Sequence, residues 1–422
     1  MTEMVTNRKW EEIWAGRVVL GWAVVVLAAD LKVTVPYIHW AVSALAVVLI
    51  LPYLLRARWK ERFPARAPVW LFIVAVCIPV LYGARAVYSL AEAVKLAVIL
   101  LGGISIFVVR SQLAHYAFRG FVVAVYLNLF LLIGGFLGLG SASIMATARW
   151  GTILDFPGSL SRVGITVWVF AAYLLVKRRS ATSLGLLVAS TVVVYADGSR
   201  TTILLLLLAA LYLVLVLAAE AKRLRRAMFV GAMSLSAVVA AVAYSAILSG
   251  EGGASVGRVS EFSSSVQAQG LEGLETADAI RFRMLQDGVE AIQAHPIWGT
   301  GIETTTTETI VGPMGIHMTY LQVWADMGLL GLTAFVWLMW GWIVWVPMVL
   351  RRIRVLSAPA QRALYYNALF LLFFYGLAAF FHPLSTEWSE WIVFIIPYAL
   401  IWEVTRSKGA APQRPRVLEA HA

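Results

Sequence analysis

Thr201-Thr-Ile-Leu-Leu-Leu-Leu-Leu-Ala-Ala-Leu-Tyr-Leu-Val-Leu-Val-Leu-Ala-Ala219 carries no charge and is followed, after Glu220 and Ala221, by Lys222, Arg223, Arg225 and Arg226. An uncharged apolar run of about 20 residues is what an α-helix needs to cross the hydrocarbon core of a bilayer. Runs of the same kind recur near 14–30, 35–55, 68–84, 90–109, 117–140, 161–176, 181–197, 227–249, 325–350, 363–381 and 389–404. With 61% hydrophobic and only 14% charged residues, the chain reads as an all-α polytopic membrane protein of about twelve transmembrane helices. A soluble domain is excluded. The polar start, Met1 to Gly16, is long for a signal peptide, so the first run reads as an uncleaved span.

The net charge of +11 raises the question of partners, and the placement of the cations answers it. Alternate connections carry Arg56/Arg58/Lys60/Arg62/Arg66, Arg110/Arg119, Lys177/Arg178/Arg179, the 222–226 cluster, Arg351/Arg352/Arg354/Arg362 and Arg406/Lys408/Arg414/Arg416. With Arg8, Lys9 and Arg17 these are 25 of the 34 lysines and arginines. Positive loops stay cytoplasmic, so both termini are expected inside and the opposite ends of the spans outside. Contact with anionic inner-leaflet lipid accounts for the basic loops. No basic stretch is interleaved with aromatics as a nucleic-acid groove requires, so no nucleic-acid partner is expected. Trp10, Trp14, Trp40, Trp70, Trp150, Trp388 and Trp391 fall near expected interfaces, as an aromatic belt does. The single cysteine, Cys77, excludes an internal disulfide and a cysteine metal cluster.

This divides the chain into helices 1–9 over residues 1–249, an outward polar island at 250–317, helices 10–12 over 318–404, and a disordered cytoplasmic tail at 405–422. The island holds nine acids (Glu251, Glu261, Glu272, Glu275, Asp278, Asp287, Glu290, Glu303 and Glu308) against Arg258, Arg281 and Arg283. Arginines on an acidic outward loop are not topology signals; each is paired locally or meets an anion. On a helix from Asp278 to Ala294, Arg281 shares a face with Leu285, Gly288 and Ile292, turned toward core or membrane. Arg283 lies with Asp287 and Glu290, where an i,i+4 pair with Asp287 would satisfy it. Arg281 is therefore the better anion ligand, with Asp278 as its local alternative. Arg200, in Gly198-Ser199-Arg200 on the same side, is either a residue reaching lipid headgroups or a second ligand. Two guanidiniums can grip a pyrophosphate without a metal, because each offers two-pronged donors and stays charged.

Among the histidines, His39, His295, His317 and His382 can face outward. His295 precedes Pro296 and reads as a helix-ending residue. His317 follows the flexible stretch Val311-Gly-Pro-Met-Gly315 and directly precedes an apolar helix, where it can reach an interfacial cavity. Arginines nearby would keep its ring neutral, as a general base must be. Asp326, Glu387 and Glu390 could orient or replace it. No HExxH, Cys/His cluster, DxD or phosphate loop occurs, so neither a metal nor another cofactor is expected.

In this order, Ser199-Arg200, Arg281, His295-Pro-Ile-Trp-Gly-Thr-Gly301, His317 and Asp326-Met-Gly-Leu-Leu-Gly331, the chain resembles the O-antigen ligase and polymerase superfamily of membrane glycan transferases. It departs from that pattern at Met318, where Asn is usual, and at Asp326, where Glu is usual. The resemblance implies a GT-C-like arrangement in the bacterial inner membrane whose large periplasmic loop contains short helices. It implies transfer of a preassembled glycan from undecaprenyl diphosphate to a sugar hydroxyl of lipid A-core, with inversion. His317 would be the base and Arg200 and Arg281 the diphosphate ligands, supported by Asp326, Trp298, Gly299, Gly301 and Arg283. A polymerase, which takes a second lipid-linked glycan as acceptor, shares these residues. A transporter or flippase of an anionic lipid-linked substrate would instead place its ionisable residues at mid-membrane and in repeated halves, which this chain does not.

Overall fold

The computed structural model describes residues 2–28, 37–57, 65–81, 86–138, 160–197, 200–220, 279–309 and 312–406, with positions 2–8, 28, 136 and 200–203 described for the backbone alone. The expected span at 227–249, Ser199, Arg258 and the tail from 407 lie outside the described residues, as does the side chain of Arg200.

The described helices are α1 (Thr2–Ala28), α2 (Ile38–Leu55), α3 (Arg66–Cys77), α4 (Ala86–Ala97), α5 (Ile104–Val109), α6 (Ser111–Phe136), α7 (Leu160–Arg178), α8 (Ala181–Ala196), α9 (Arg200–Glu220), α10 (Ala279–Ala294), α11 (Thr319–Trp340), α12 (Val346–Arg354), α13 (Pro359–Ala378) and α14 (Trp388–Arg406). A π turn, Val98–Gly103, joins α4 to α5. Among the described residues, five continuous helical stretches are long and apolar enough to cross a membrane: Ile38–Leu55, Ala86–Val109, Ser111–Gly135, Leu160–Arg178 and Thr319–Arg354. Arg66–Leu81, Ala181–Ala196 and Leu204–Glu220 are shorter apolar helices. Large apolar side chains stand exposed on the outer faces, among them Val48, Phe130, Val188 and Leu215. In lipid that arrangement is stable, because helices satisfy their own backbone and apolar side chains need no cover. The protein is a multi-pass, helical membrane protein.

Close packing comes from small residues. A β-carbon on Gly120 of α6 would press on the Leu20 carbonyl of α1, and one on Gly164 of α7 on the Ser190 carbonyl of α8, so both pairs approach backbone to backbone. Asn367 of α13 inserts its amide into α7, donating to the Thr166 carbonyl at 2.7 Å and accepting from the Phe170 N–H at 3.1 Å. Glu220, at the end of α9, holds Lys177 of α7 at 2.7 Å and Arg362 of α13 at 3.4 Å. Glu11 meets Arg56 at the same basic end of the bundle.

The island differs from a loop of short helices in one respect. Beside α10 it contains a two-stranded antiparallel hairpin, β1 (Thr306–Thr309) and β2 (Gly312–Gly315), with Thr306 opposite Gly315 and Glu308 opposite Pro313. The stretch expected to be flexible is thus largely strand β2. The β-branched run from Thr304 to Thr307 supplies the extended partner.

Candidate functional site

The His295–Gly301 run is a backbone clasp. His295 closes α10, its N–H donating to the Ala291 carbonyl and its carbonyl accepting from Gly299, each at 3.0 Å. The chain then lies along α11. Thr300 N–H donates to Ala325 O at 3.0 Å and Gly301 N–H to Asp326 O at 2.8 Å, while Leu329 N–H donates to Pro296 O at 3.1 Å. In an unbroken helix Leu329 would donate to Ala325; here helix and loop have exchanged partners. The exchange requires the break at Gly328, whose φ is 66° and ψ −170°. Gly299 likewise has φ 75°. A β-carbon on Gly328 would overlap the Ile297 carbonyl, and one on Gly299 the Asp326 carbonyl. These two glycines let the loop and α11 approach backbone to backbone.

Asp326 is fully buried and surrounded by donors: Glu303 N–H at 2.8 Å, Thr305 N–H at 3.1 Å, Thr305 hydroxyl at 2.5 Å and Gln322 Nε2 at 3.4 Å. Its carboxylate ties the 303–305 turn to α11. Gln322 passes the connection on, accepting from Leu384 N–H at 2.7 Å, and Thr319 donates through its hydroxyl to the His382 carbonyl at 2.6 Å. Island and 379–387 link are therefore one hydrogen-bonded unit around the start of α11. Glu303, at φ 55°, accepts from the Tyr88 hydroxyl at 2.6 Å. Nearby, Glu92 binds Lys95 at 2.7 Å and accepts from the Thr386 hydroxyl. Burial raises the Glu303 carboxyl above its usual range, with Glu92 and Glu387 adding to the rise and Tyr88 and Lys95 opposing it.

Beside this unit opens a recess between α7, α9, α11, α13, α14 and the 379–387 link, a cavity of about 50 Å³ that is open to the outside. Its polar walls are Ser161, Arg162, Thr319, His382, Ser385 and Glu390, and its apolar walls include Leu205, Phe374 and Val393. Arg162 and Glu390 meet at 2.5 Å. Although part of its ring is open, desolvation by the surrounding protein lowers the pKa of His382; Arg162 and His317 add to that, against Glu390 and Asp197. At pH 7 its ring is neutral. His317 stands two residues before Thr319, near enough to His382 to disfavour charge on the His382 ring. Its Nδ1 lies 3.0 Å from the Gly315 carbonyl in β2. A carbonyl can only accept, so the bond calls for a proton on Nδ1 and leaves the neutral ring's lone pair on Nε2.

The structure treats the sequence-derived site residues differently. Arg200 opens α9, and Leu205 of that helix lines the recess. Arg281 is exposed near the start of α10, on the stripe 281, 284, 288, 292 whose last three members are buried. Gly288 of that stripe sits against Ile316 and Leu321, which sets α10 beside His317. Arg283 is exposed and forms no pair with Asp287, because Asp287 accepts from the Thr307 hydroxyl at 2.5 Å instead. Trp298 is 52% exposed and is no wall of the recess; neither is Asp326. Arg162, which the sequence reading passed over, is a wall. Its signal was available: it is one of the cations that fall outside the basic loops. Among the described residues, no three His, Cys, Asp or Glu side chains converge on a point where a metal could sit.

A helical, multi-pass membrane protein with an arginine- and histidine-bearing recess at one end of its bundle is the class that fold and site define. Residues 185–336, from α8 through most of α11, match the family model described as O-antigen ligase. That stretch includes Arg200, Arg281, the 295–301 clasp, His317 and Asp326, whereas Arg162, His382 and Glu390 lie outside it. Comparison with curated proteins finds no match.

Proposed function

We propose that the protein is an O-antigen ligase of the bacterial inner membrane, transferring a preassembled glycan from undecaprenyl diphosphate to a sugar hydroxyl of lipid A-core. In this reading twelve spans cross the membrane, both termini are cytoplasmic, and the recess opens to the periplasm. The observation that carries it is the Gly315 carbonyl beside His317, within a stretch that matches the ligase family and also holds Arg200 and Arg281. The acceptor hydroxyl gives its proton to His317 Nε2, and its oxygen attacks the anomeric carbon from the side opposite the diphosphate. The bond from that carbon to the diphosphate oxygen breaks, and the leaving group keeps the electron pair. Configuration inverts. Arg200, Arg281 and Arg162 meet the developing charge, a task for which fixed guanidiniums need no metal.

Purified protein given a lipid-diphosphate-linked glycan, with and without lipid A-core, tests this by gel shift. The expected product is a lipopolysaccharide ladder that requires lipid A-core. Longer lipid-linked chains formed without that acceptor would replace the ligase by a polymerase, and no transfer in either arm would leave a transporter as the better account.

A further inference from the structure

At the opposite, basic end of the bundle a second and larger recess, about 480 Å³ in volume, runs between α6, α7 and α8, with Leu20 of α1 and Ala360 of α13 at its sides. Its lining is sorted by polarity along each helix. On α6 the order is Arg119, Val122, Val123, Tyr126; on α7, counted from its end, Arg178, Leu174, Phe170; on α8, Thr182, Ser183, Leu186. Each series follows helical spacing on one face, and each begins polar at the basic end and turns apolar toward the middle of the bundle. The recess thus has a cationic, hydroxyl-rich mouth and a greasy floor.

Two features make the mouth an anion site rather than ordinary topology signalling. Arg119 is half-buried, its guanidinium 5.4 Å from the centre of the Tyr116 ring, which directs it. Among the described residues, no carboxylate lies within ion-pairing distance of Arg119 or Arg178, although Lys177 and Arg362 close by are both paired with Glu220. Arg119 is the partly enclosed guanidinium and Arg178 stands exposed at the rim beside it; two such arginines match phosphate oxygens in particular. A soluble phosphate would use only the mouth. The apolar walls from Val122 to Tyr126 and from Leu174 to Phe170 call for acyl chain.

We infer that this recess is a binding site for a diacyl anionic phospholipid of the phosphatidylglycerol type, its phosphate between Arg119 and Arg178 and an acyl chain along Val123, Tyr126, Phe170 and Leu186. Basic pockets between membrane helices bind anionic lipids by this division of labour. The inference is independent of the transfer reaction, because no recess residue belongs to the site around His317.

The full-length protein, delipidated in detergent, is titrated with phosphatidylglycerol or phosphatidylcholine of the same chain length, and retained lipid is counted by native mass spectrometry. The expected result is one phosphatidylglycerol bound at least about tenfold more tightly than phosphatidylcholine, a preference worth about 1.4 kcal/mol. Replacing both Arg119→Gln and Arg178→Gln should abolish it. Val123→Trp, which fills the floor and keeps both guanidiniums, should weaken phosphatidylglycerol while leaving inorganic phosphate unable to compete. Equal binding of the two lipids, retention by the double variant, competition by inorganic phosphate, or preferential uptake of a polyprenyl phosphate over phosphatidylglycerol would each overturn the assignment.

Discussion

His317 Nδ1 lies 3.0 Å from the carbonyl oxygen of Gly315, at the end of a strand that pairs with Thr306 across the hairpin. The hairpin therefore fixes the tautomer of the histidine proposed as base. His317→Ala should keep the fold and lose about 10²- to 10⁴-fold in transfer, the usual worth of a general base. The measurement is the rate of ladder formation alongside the unfolding midpoint. A variant that transfers at the normal rate removes His317 from the mechanism.

Gly328→Ala should cost stability as well as activity. A left-handed non-glycine residue costs on the order of 1–3 kcal/mol before any clash is counted, and here the β-carbon would also overlap the Ile297 carbonyl. Gly21→Ala is the control, since nothing lies within 4 Å of a β-carbon there. Thermal unfolding in detergent should show a clear fall for Gly328→Ala and little change for Gly21→Ala. Equal midpoints would mean the clasp is dispensable.

Glu303 offers a pH test. Its folded pKa is raised, first by burial, so the folded state holds a proton over a range where the unfolded chain has released it. Stability is then greater at low pH and falls as pH rises through the folded value. Glu303→Gln keeps an acceptor for Tyr88 and removes the charge. At pH 7 it should unfold no earlier than the parent protein, and any gain should vanish near pH 4, where both side chains are neutral. A midpoint lowered at pH 7 but not at pH 4 would show that the ionised carboxylate is needed.

Transfer should survive EDTA. The proposed leaving group is an anion met by guanidiniums, and among the described residues no three metal-binding side chains converge. Activity lost to EDTA and restored by Mg²⁺ would contradict this.

The apolar helices were legible because a bilayer imposes length and composition directly on sequence, as in Thr201–Ala219. The ordered set Arg200, Arg281, His295–Gly301 and His317 could be singled out because the resemblance rests on residue type and order. What the 295–301 run does was not. Its partners are Ala325 and Asp326 across a helix break, and only the fold brings those backbones together. Asp326 reads in sequence as an alternative base, and the donors around it become visible only in the fold. The hairpin was obscured by Gly312 and Pro313, residues more common in turns than in strands. Arg162 was visible as one of nine cations outside the basic loops, with Lys32, Arg85, Lys95, Arg149, Arg200, Arg258, Arg281 and Arg283. Its partner Glu390 stands on a helix far along the chain, and that distance hid the pair.

Arg162 and Glu390 also separate charge from positioning. If Arg162 meets the diphosphate and Glu390 only holds it, Arg162→Gln should lose about 10- to 100-fold in transfer, the worth of a hydrogen bond to a charged group. Glu390→Gln, which keeps an acceptor for the guanidinium, should lose less. Because the two residues touch, their effects should not add, and the double variant should be no slower than Arg162→Gln alone. Losses that multiply, or a larger loss from Glu390→Gln, would give the carboxylate a role of its own in the recess. In that case His317 and Glu390 would have to be compared as bases by the pH dependence of each variant, since removing the true base removes its limb of the profile.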